Sequence, residues 1–473
     1  MTHRRGTTHT IRAALAALVL LGAFAGCGSR ADDADEKGGG DDGLSATTTG
    51  SGTDGDAGGT AEVPKPDSDT IGTIDNPCGA APDSLSGELP AGTPGVSDDT
   101  IRIGVISDKE NPAVPLPTVG IEEAVKAFVA FCNAAGGING RTLDLQTYDS
   151  MITSTDDVTK QACADDLFAL VGDGSVQDQL GVDTRVGCGL PEVAAYSATS
   201  TRAESDLFFQ PIPATQSQNY NVGPCQWIAG QFPDDVKKAA IIYTDLPAAR
   251  VRGEQIRDNC SEAAGIEYVV DEPVAFGETN FGPLIQQMKE KGVTYFSMVS
   301  AASETLAVLR EAKAQGVEFN VVDLGQQYYD RTVAEAGDLT DGAYVLTNTV
   351  PFTEADDTPA LGLYQQWLAE TGADEDKVTT LGVQAFSAGL LFATAVDSLG
   401  NDLTRDSLVE ALQGITEWDG GGLQMTTDPV ETKLNECFLY MRITDGDFVR
   451  EYPDEGFDCD AAYVVHSDKV YEG

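Results

Sequence analysis

The chain is poor in histidine and in positive charge. Its 473 residues include 3 histidines (His3, His9 and His466), and 29 lysines and arginines stand against 76 aspartates and glutamates, which gives a net charge of −47. The scarcity of histidine argues against Ser-His-Asp or Cys-His catalysis and against histidine-rich metal sites. Because so acidic a surface repels nucleic acid and anionic lipid, we expect no nucleic-acid partner.

Motifs of phosphate, zinc-protease and calcium sites are also missing. The sequence has no Walker A loop, no HExxH and no EF-hand loop. The run AFSAG at 385–389 lacks the first glycine of a nucleophile elbow and lies in a helical pattern, so we interpret Ser387 as a packing residue. We therefore expect a protein that is not an enzyme and that needs no cofactor and no metal.

An apolar run at the N-terminus, Ala13–Ala25, follows three arginines and is short for a membrane span. This pattern is typical of a secretory signal. Cleavage after Ala25 fits an ordinary A-x-A site, whereas Ala25-Gly26-Cys27 fits a bacterial lipoprotein site. The chain has 9 cysteines, and setting Cys27 aside leaves an even number. This count favours a signal peptide over 1–26 and a lipid on Cys27, at the outer face of the cytoplasmic membrane.

The segment that follows, residues 27–95, is rich in Gly, Asp, Thr and Pro and has few large apolar side chains. Such a composition buries too little surface to offset the entropy of ordering the chain. We therefore predict a disordered acidic tether, whose distal part is held to the folded domain through Cys78. It is either a spacer that holds a folded domain off the membrane or a linker without a required length.

Eight cysteines remain after Cys27, and an exported chain meets an oxidising compartment where disulfides are the default. Eight cysteines allow 105 connectivities, so the sequence alone does not fix the pairing. Three pairs close short loops and a fourth is left by elimination: Cys163–Cys188, Cys225–Cys260, Cys437–Cys459 and Cys78–Cys132.

Residues 100–149 have the pattern of one βαβ unit. Ile101–Ile106 is an apolar strand, and Ile121, Val125, Phe128 and Cys132 share one face of the next helix. Two glycines at 136 and 137 end that helix, and a second strand follows over 142–148. Strand and helix patterns then alternate in two series, which predicts two doubly wound α/β domains with parallel sheets.

The run NAAGGINGR at 133–141 resembles the opening of the type I periplasmic solute-binding proteins, the Leu/Ile/Val-binding family of ABC importers. The resemblance extends from about Val96 to the C-terminus. It implies the periplasmic binding protein-like I fold, in which two doubly wound parallel-sheet lobes are joined by a three-strand hinge. Lobe 1 would comprise residues 96–217 plus 351–437, and lobe 2 residues 218–350 plus 438–473.

Ligands of open α/β sheets bind outside the carboxyl ends of the strands, where this chain has several loops rich in serine and threonine. The resemblance assigns Ser175 to the ligand carboxylate. The alignment slips by one residue in the next loop, so Thr199, Ser200 and Thr201 share that role. Ordinary Ser/Thr turn chemistry is the alternative reading of these hydroxyls.

The lobe 2 side departs from the amino-acid binders. Gln326 stands where they place a carboxylate for the ligand ammonium group, and Ala301 and the Ala248 region stand where they place aromatic residues; Tyr328 substitutes in part. The ligand is then not a simple α-amino acid, or another acid such as Asp108 or Asp245 pairs with the ammonium group. The expected ligand-binding set is Asp108, Ser175, Thr199, Ser200, Thr201, Ala301, Gln326 and Tyr328.

The resemblance implies an extracytoplasmic lipoprotein that captures a small organic solute by hinge closure and delivers it to an ABC permease. An amino acid, an amide or a related carboxylate is the expected solute, and the protein is expected to be a monomer. A ligand-sensing receptor ectodomain of the same fold is the alternative.

Overall fold

A computed structural model describes residues 64–109, 118–373, 377–430 and 433–472. The predicted signal peptide, the Cys27 lipidation site and residues 27–63 of the predicted tether lie outside these residues. A short antiparallel hairpin opens the described part, formed by β1 (Thr70–Ile71) and β2 (Ile74–Asp75).

The first large sheet has five parallel strands in the order β4-β3-β5-β6-β7. These strands come from one stretch of chain: β3 (Thr100–Ser107), β4 (Thr142–Asp149), β5 (Ala169–Val171), β6 (Glu192–Val193) and β7 (Phe208–Phe209). We call this sheet and the helices packed on it lobe 1.

A short strand, β8 (Asn219–Asn221), precedes the second large sheet, whose order is β10-β9-β11-β12-β13-β14-β15 with β16 paired to β14. The first five strands are parallel, and β14 and β15 are added antiparallel. The bounds are β9 (Ala239–Thr244), β10 (Tyr268–Val274), β11 (Tyr295–Val299), β12 (Val321–Leu324), β13 (Tyr344–Thr347), β14 (Cys437–Thr444), β15 (Asp447–Tyr452) and β16 (Asp458–Cys459). We call this sheet and its helices lobe 2; β17 (Val464–His466) closes against β8.

The helices are α1 (Val119–Ala135), α2 (Thr155–Ala164), α3 (Val182–Gly187), α4 (Ser200–Ala203), α5 (Gly223–Gln231), α6 (Pro247–Ala264), α7 (Gly282–Lys291), α8 (Ala302–Ala314), α9 (Arg331–Ala334), α10 (Pro359–Glu370), α11 (Thr380–Leu399) and α12 (Arg405–Gln413). In lobe 1, α1 packs against α10 and α11. In lobe 2, α5 and α6 cover one face of the sheet and α7 and α8 cover the other.

The chain passes between the two sheets three times: between β7 and β8, between β13 and α10, and before β14. The predicted α/β class and three-strand connection are therefore confirmed. Helix α11 alone among the described helices is long and apolar enough to cross a membrane, and 89% of its apolar window is buried in the protein. It forms the centre of the lobe 1 core.

Residues 64–95 lie against lobe 1, so the disorder predicted from composition was wrong for this part, whereas the attachment through Cys78 is present. Gly136 and Gly137 have φ of 114° and 85°, and a side chain on Gly136 would stand 2.8 Å from the backbone nitrogen of Ala80. The Gly79 N–H donates to the Gly137 carbonyl at 2.6 Å, and its own carbonyl accepts from the Gly140 N–H at 3.0 Å. Gly136, Gly137 and Gly140 thus form the surface on which residues 79 and 80 lie, and we call these three residues the glycine seat.

The structure contains the four disulfides that the sequence analysis favoured. Cys163–Cys188 links α2 to the end of α3, Cys225–Cys260 links α5 to α6, and Cys437–Cys459 links β14 to β16. Cys78–Cys132 fastens the N-terminal segment to α1 across a sequence separation of 54 residues. This fourth bond and the glycine seat act on the same part of the chain.

Replacing Cys78 and Cys132 together by alanine should lower the free energy of unfolding by about 3 to 4 kcal/mol, because the bond closes a long loop. Urea denaturation measures this loss. Thermolysin should then cut within residues 64–95 of the folded variant.

The matched control is the double replacement of Cys437 and Cys459 by alanine, which should leave residues 64–95 protected. Equal protection of this segment in both variants would show that the glycine seat holds it without the bond.

Candidate functional site

A cavity of about 320 Å³ opens between the carboxyl ends of the two sheets. This volume is in the range of small-molecule sites. Lobe 1 and lobe 2 both contribute to its mouth, through Ile152, Val176, Tyr196, Ser197, Ala198, Thr244, Ala248, Ser300, Ala301 and Gln326. A molecule held there would contact both lobes at once.

The cavity continues from this mouth into lobe 2, between the sheet and helices α5 and α6. Its inner walls are mostly apolar and aromatic, formed by Tyr220, Cys225, Ile256, Cys260, Tyr268, Tyr295, Leu346, Phe438 and Tyr440. Small side chains make room near the opening, since Ala248 and Ala249 begin α6 and Ser297 lies on β11.

In lobe 1, one buried carboxylate holds the loops at the mouth. Asp108 follows β3, and it accepts hydrogen bonds from the Ser150 hydroxyl, from the Ile152 N–H at 2.6 Å and from the Val176 N–H at 2.6 Å. Burial raises the pKa of Asp108, while these hydrogen bonds act in the opposite direction. Asp108 does not line the cavity; it positions Ile152 and Val176, which do.

In lobe 2, Glu304 has the role that Asp108 has in lobe 1. It lies on α8 and is 4% exposed, and it accepts from the Thr244 hydroxyl at 3.1 Å, from the Gly277 N–H at 2.6 Å and from the Ser300 hydroxyl. These donors stand at or just after the ends of β9, β10 and β11. Glu304 lines the cavity, and its hydrogen bonds to three loops make it chiefly a support for that wall.

The predicted hydroxyls of lobe 1 are not on the cavity. Thr199 donates to Asp178 at 2.6 Å and caps α4, while Ser200 donates to the Tyr471 carbonyl at 2.7 Å. Ser175 is buried beside a small internal cavity behind the loop, and Thr201 is exposed. In this structure the neighbouring Ser197 and Ala198 reach the mouth instead.

The reason for this displacement is a buried ionic cluster under the same loops. Arg202 contacts Asp173 and Glu192 at 2.7 Å and Asp178 at 3.4 Å, and Arg185 contacts Glu192 at 3.1 Å. Burial, and then the charge of Glu192, raise the pKa of Asp173 well above its ordinary value, whereas the two arginines outweigh burial and lower the pKa of Glu192 to about 2. The cluster has three carboxyl groups around two arginines, and the raised pKa of Asp173 favours its protonated form.

On the lobe 2 side, two of the three predicted residues line the cavity and one does not. Ala301 and Gln326 line the mouth, and the Gln326 side-chain oxygen accepts from Gln384 at 3.2 Å. Tyr328 lies behind this wall, where its hydroxyl contacts the carbonyls of Met298 and Ser300 at 3.1 and 2.9 Å. Asp245 pairs with Arg250 at the surface and, like Asp108, does not line the cavity.

Sequence reasoning missed three charged residues of the cavity: Glu304, described above, Arg252 and Asp323. Arg252, on α6, is the only lysine or arginine among the described residues that line it, and its guanidinium lies 4.9 Å from the Tyr220 ring centre. Asp323, on β12, accepts from the Tyr440 hydroxyl at 3.1 Å and from the Tyr295 hydroxyl. Burial raises the pKa of Asp323 to about 6 against the effect of these two donors. A lone acid in the apolar strand VVDL is the sequence signal for it.

Asp173→Asn should reverse a loss of stability that the wild type suffers as pH rises. Asp173 has a raised pKa in the folded state, so the stability it contributes is complete below its unfolded pKa of about 3.9 and is lost as pH rises through the folded pKa. Asparagine keeps the donor and acceptor of the protonated acid without titrating. The variant should therefore gain on the wild type in urea denaturation as pH rises above about 4.

Asp178→Asn is the contrast, because Asp178 accepts from Ser197, Ala198, Thr199 and Arg202 and has no place for an amide donor. This variant should lose about 3 to 5 kcal/mol. A constant difference between Asp173→Asn and the wild type over the pH range would contradict the buried proton.

The comparisons with known proteins agree with this geometry. A model of the periplasmic binding protein family matches residues 100–447. The leucine-, isoleucine-, valine-, threonine- and alanine-binding protein of Pseudomonas aeruginosa is 23% identical over 323 residues, which are 67% of this chain and 83% of the relative.

Two solved structures show the same fold at low sequence identity. A fatty acid ABC transporter substrate-binding protein from Thermomonospora curvata has a TM-score of 0.66 and 16% identity, covering 82% of this chain and 97% of the other. A solute-binding protein of an ABC transporter from R. palustris, in complex with 4-hydroxybenzoate, has a TM-score of 0.63 and 19% identity, covering 76% and 98%. The chain therefore belongs to the periplasmic binding protein family, with its type I fold, and is a solute-binding protein rather than an enzyme.

Proposed function

We propose that this chain is the extracytoplasmic solute-binding lipoprotein of an ABC importer and that it carries an organic acid with a largely apolar body. The observation that supports this most directly is the cavity, whose mouth is walled by loops of both lobes. Three chain crossings connect the lobes, and such a connection permits hinge closure around a ligand. Closure would present a loaded protein to the permease as a shape distinct from the empty one.

The walls of the cavity support the apolar body. Tyrosine, phenylalanine, leucine and isoleucine side chains cover most of its interior, and burying apolar ligand surface there gains about 25 cal/mol per Å². The amino-acid binder, the fatty acid binder and the 4-hydroxybenzoate complex among the similar proteins have ligands of different bodies that share a carboxylate.

The charges support an acid rather than a simple α-amino acid. Arg252 supplies a cation to the cavity wall. Gln326 gives no negative charge for an ammonium group, and Glu304 has its oxygens engaged by three donors. An α-ammonium group at the mouth would therefore be desolvated without its own partner, which costs several kcal/mol.

Attachment to the membrane is proposed from the sequence. Cys27 follows a signal-like segment in a lipoprotein cleavage pattern, and the acidic segment after it separates the lipid from the folded residues. The protein would act as a monomer on the outer face of the cytoplasmic membrane, needing no cofactor.

A thermal-unfolding screen tests the ligand class. Octanoate, 4-hydroxybenzoate, leucine, valine and octanamide cover apolar acids, amino acids and an uncharged amide. At a hundredfold excess over its dissociation constant, a ligand adds about 2.7 kcal/mol of stability. The two apolar acids should raise the melting temperature more than the amino acids and the amide. A shift with leucine or valine alone would contradict the proposed ligand class.

Arg252→Gln tests the carboxylate contact, with Arg250→Gln as the matched control on the same helix. Arg250 pairs with Asp245 at the surface and does not line the cavity. Loss of a charged hydrogen bond should weaken binding of octanoate or 4-hydroxybenzoate by about tenfold or more in titration calorimetry. Equal affinities of the two variants would remove Arg252 from the site.

Cys27→Ser tests the anchor in bacterial cells that process lipoproteins. The wild type should partition into the detergent phase after extraction, and the variant should stay in the aqueous phase because no acyl chain is attached. A wild-type protein that begins at Gly26 would show ordinary signal cleavage instead.

A further inference from the structure

The inner end of the cavity is polar although it lies inside lobe 2. Asp323 is surrounded there by four tyrosines that also line the cavity: Tyr220, Tyr268, Tyr295 and Tyr440. Tyr295 and Tyr440 donate to the two oxygens of Asp323. Each carboxylate oxygen can accept further hydrogen bonds, so this arrangement leaves Asp323 able to receive another donor.

The other two phenols are unpartnered. The hydroxyls of Tyr220 and Tyr268 make no hydrogen bond with the described residues, although Tyr220 is only 8% exposed. Neither oxygen is among the buried side-chain atoms of the described residues that lack a partner, so both hydroxyls are accessible from the cavity. Two such groups beside a carboxylate, at the closed end of a cavity, indicate a site built for a hydrogen-bonding group that enters from the mouth.

The location sets the shape of that ligand. Val299 lies at the mouth, and Asp323 on β12 is level with Ser297 on β11, about 7 Å further in along the strand. Tyr268 is level with Tyr295, about 13 Å in. The walls between the mouth and the inner end are apolar, including Ile256, Leu346 and Phe438. A molecule that contacts both ends is therefore elongated, with an apolar middle.

The charge sets the chemistry of its inner group. An ionised carboxylate would face the charge of Asp323 in a low-dielectric interior, and an aliphatic end would leave the tyrosine hydroxyls unpaired. A hydroxyl or an amine donates to Asp323, and a hydroxyl can also accept from a tyrosine. The shared requirement is a donor group without negative charge.

We propose that Asp323, Tyr220 and Tyr268 form an inner subsite that binds the far hydroxyl or amino group of an elongated solute. This inference rests on the proposed function, which assigns the carboxylate of the solute to Arg252, one turn of α6 beyond Ala248 at the mouth. The guanidinium lies 4.9 Å from the Tyr220 ring centre, so the solute would run from Arg252 past Tyr220 to Asp323. The subsite selects among apolar acids by what they carry at the end remote from the carboxylate.

Titration calorimetry with four chain-matched probes tests this subsite: octanoate, 8-hydroxyoctanoate, 8-aminooctanoate and octanedioate. We expect the hydroxyl or the amine probe to bind about tenfold or more tightly than octanoate, and octanedioate to bind more weakly. The hydroxyl and amine arms show which of the two donors the subsite prefers.

Two variants assign the effect to named atoms. Tyr220→Phe and Asp323→Asn should each bring the ratio of octanoate to donor-probe dissociation constants towards one. Tyr463→Phe is the matched control: its hydroxyl also donates to a carboxylate, Asp458, at 2.9 Å, but it does not line the cavity, so the ratio should stay unchanged. If Asp323→Asn does not fold, Tyr220→Phe decides.

The outcomes separate the two proposals. If octanoate binds with the same affinity as both donor probes, the inner subsite is overturned and the proposed ligand class still stands. This result is expected if water forms the hydrogen bonds of the tyrosine hydroxyls. Binding of none of the four probes overturns both. A ratio that falls equally in Tyr463→Phe also overturns the subsite, because the preference would then not depend on the cavity hydroxyls.

Discussion

Each wall of the cavity depends on one buried carboxylate that holds three loops together. Asp108 connects the ends of β3, β4 and β5, and Glu304 connects the ends of β9, β10 and β11. Hydrogen bonds to a charged acceptor are strong in a low-dielectric interior, and the donors become costly orphans if the acceptor is lost. The two lobes thus use the same arrangement at different positions. In lobe 1 the acid lies in the loop that follows β3, and in lobe 2 it lies on helix α8, which follows β11.

The fold could be predicted from the sequence because its signals are local. Strand and helix periods alternate, and the run at 133–141 carries the glycines that its backbone requires. Strand order is not local: the sequence predicts a final strand at 437–442 in lobe 2 and a C-terminal hairpin, but not that β14 joins the sheet antiparallel to β13. The composition of residues 64–95 wrongly predicted disorder. Backbone hydrogen bonds to the glycine seat and the Cys78–Cys132 disulfide hold this segment, and neither requires apolar residues in it.

The site was predicted less well because residue type does not give direction. Serines and threonines were expected at the right loops, but the hydroxyls of Ser197 and Thr199 both donate to Asp178 in the ionic cluster beneath them, and of these two residues only Ser197 also lines the mouth. The loops named in lobe 2 did contribute Ala301 and Gln326. The inner end of the cavity was not predicted because its tyrosines come from four separate strands, β8, β10, β11 and β14. Only the folded structure brings them to Asp323.

A cavity enclosed mainly by one lobe has a kinetic consequence. A solute lodged between the lobe 2 sheet and its helices α5 and α6 already has most of its surface covered before lobe 1 approaches. Entry then does not wait for a conformational change, so association can be governed by encounter with lobe 2 alone. If lobe 1 closes over the mouth as proposed, its approach would govern how long the solute stays. Residence time and association rate would thus be set by different parts of the chain, the first by the loops that Asp108 holds and the second by the depth of lobe 2.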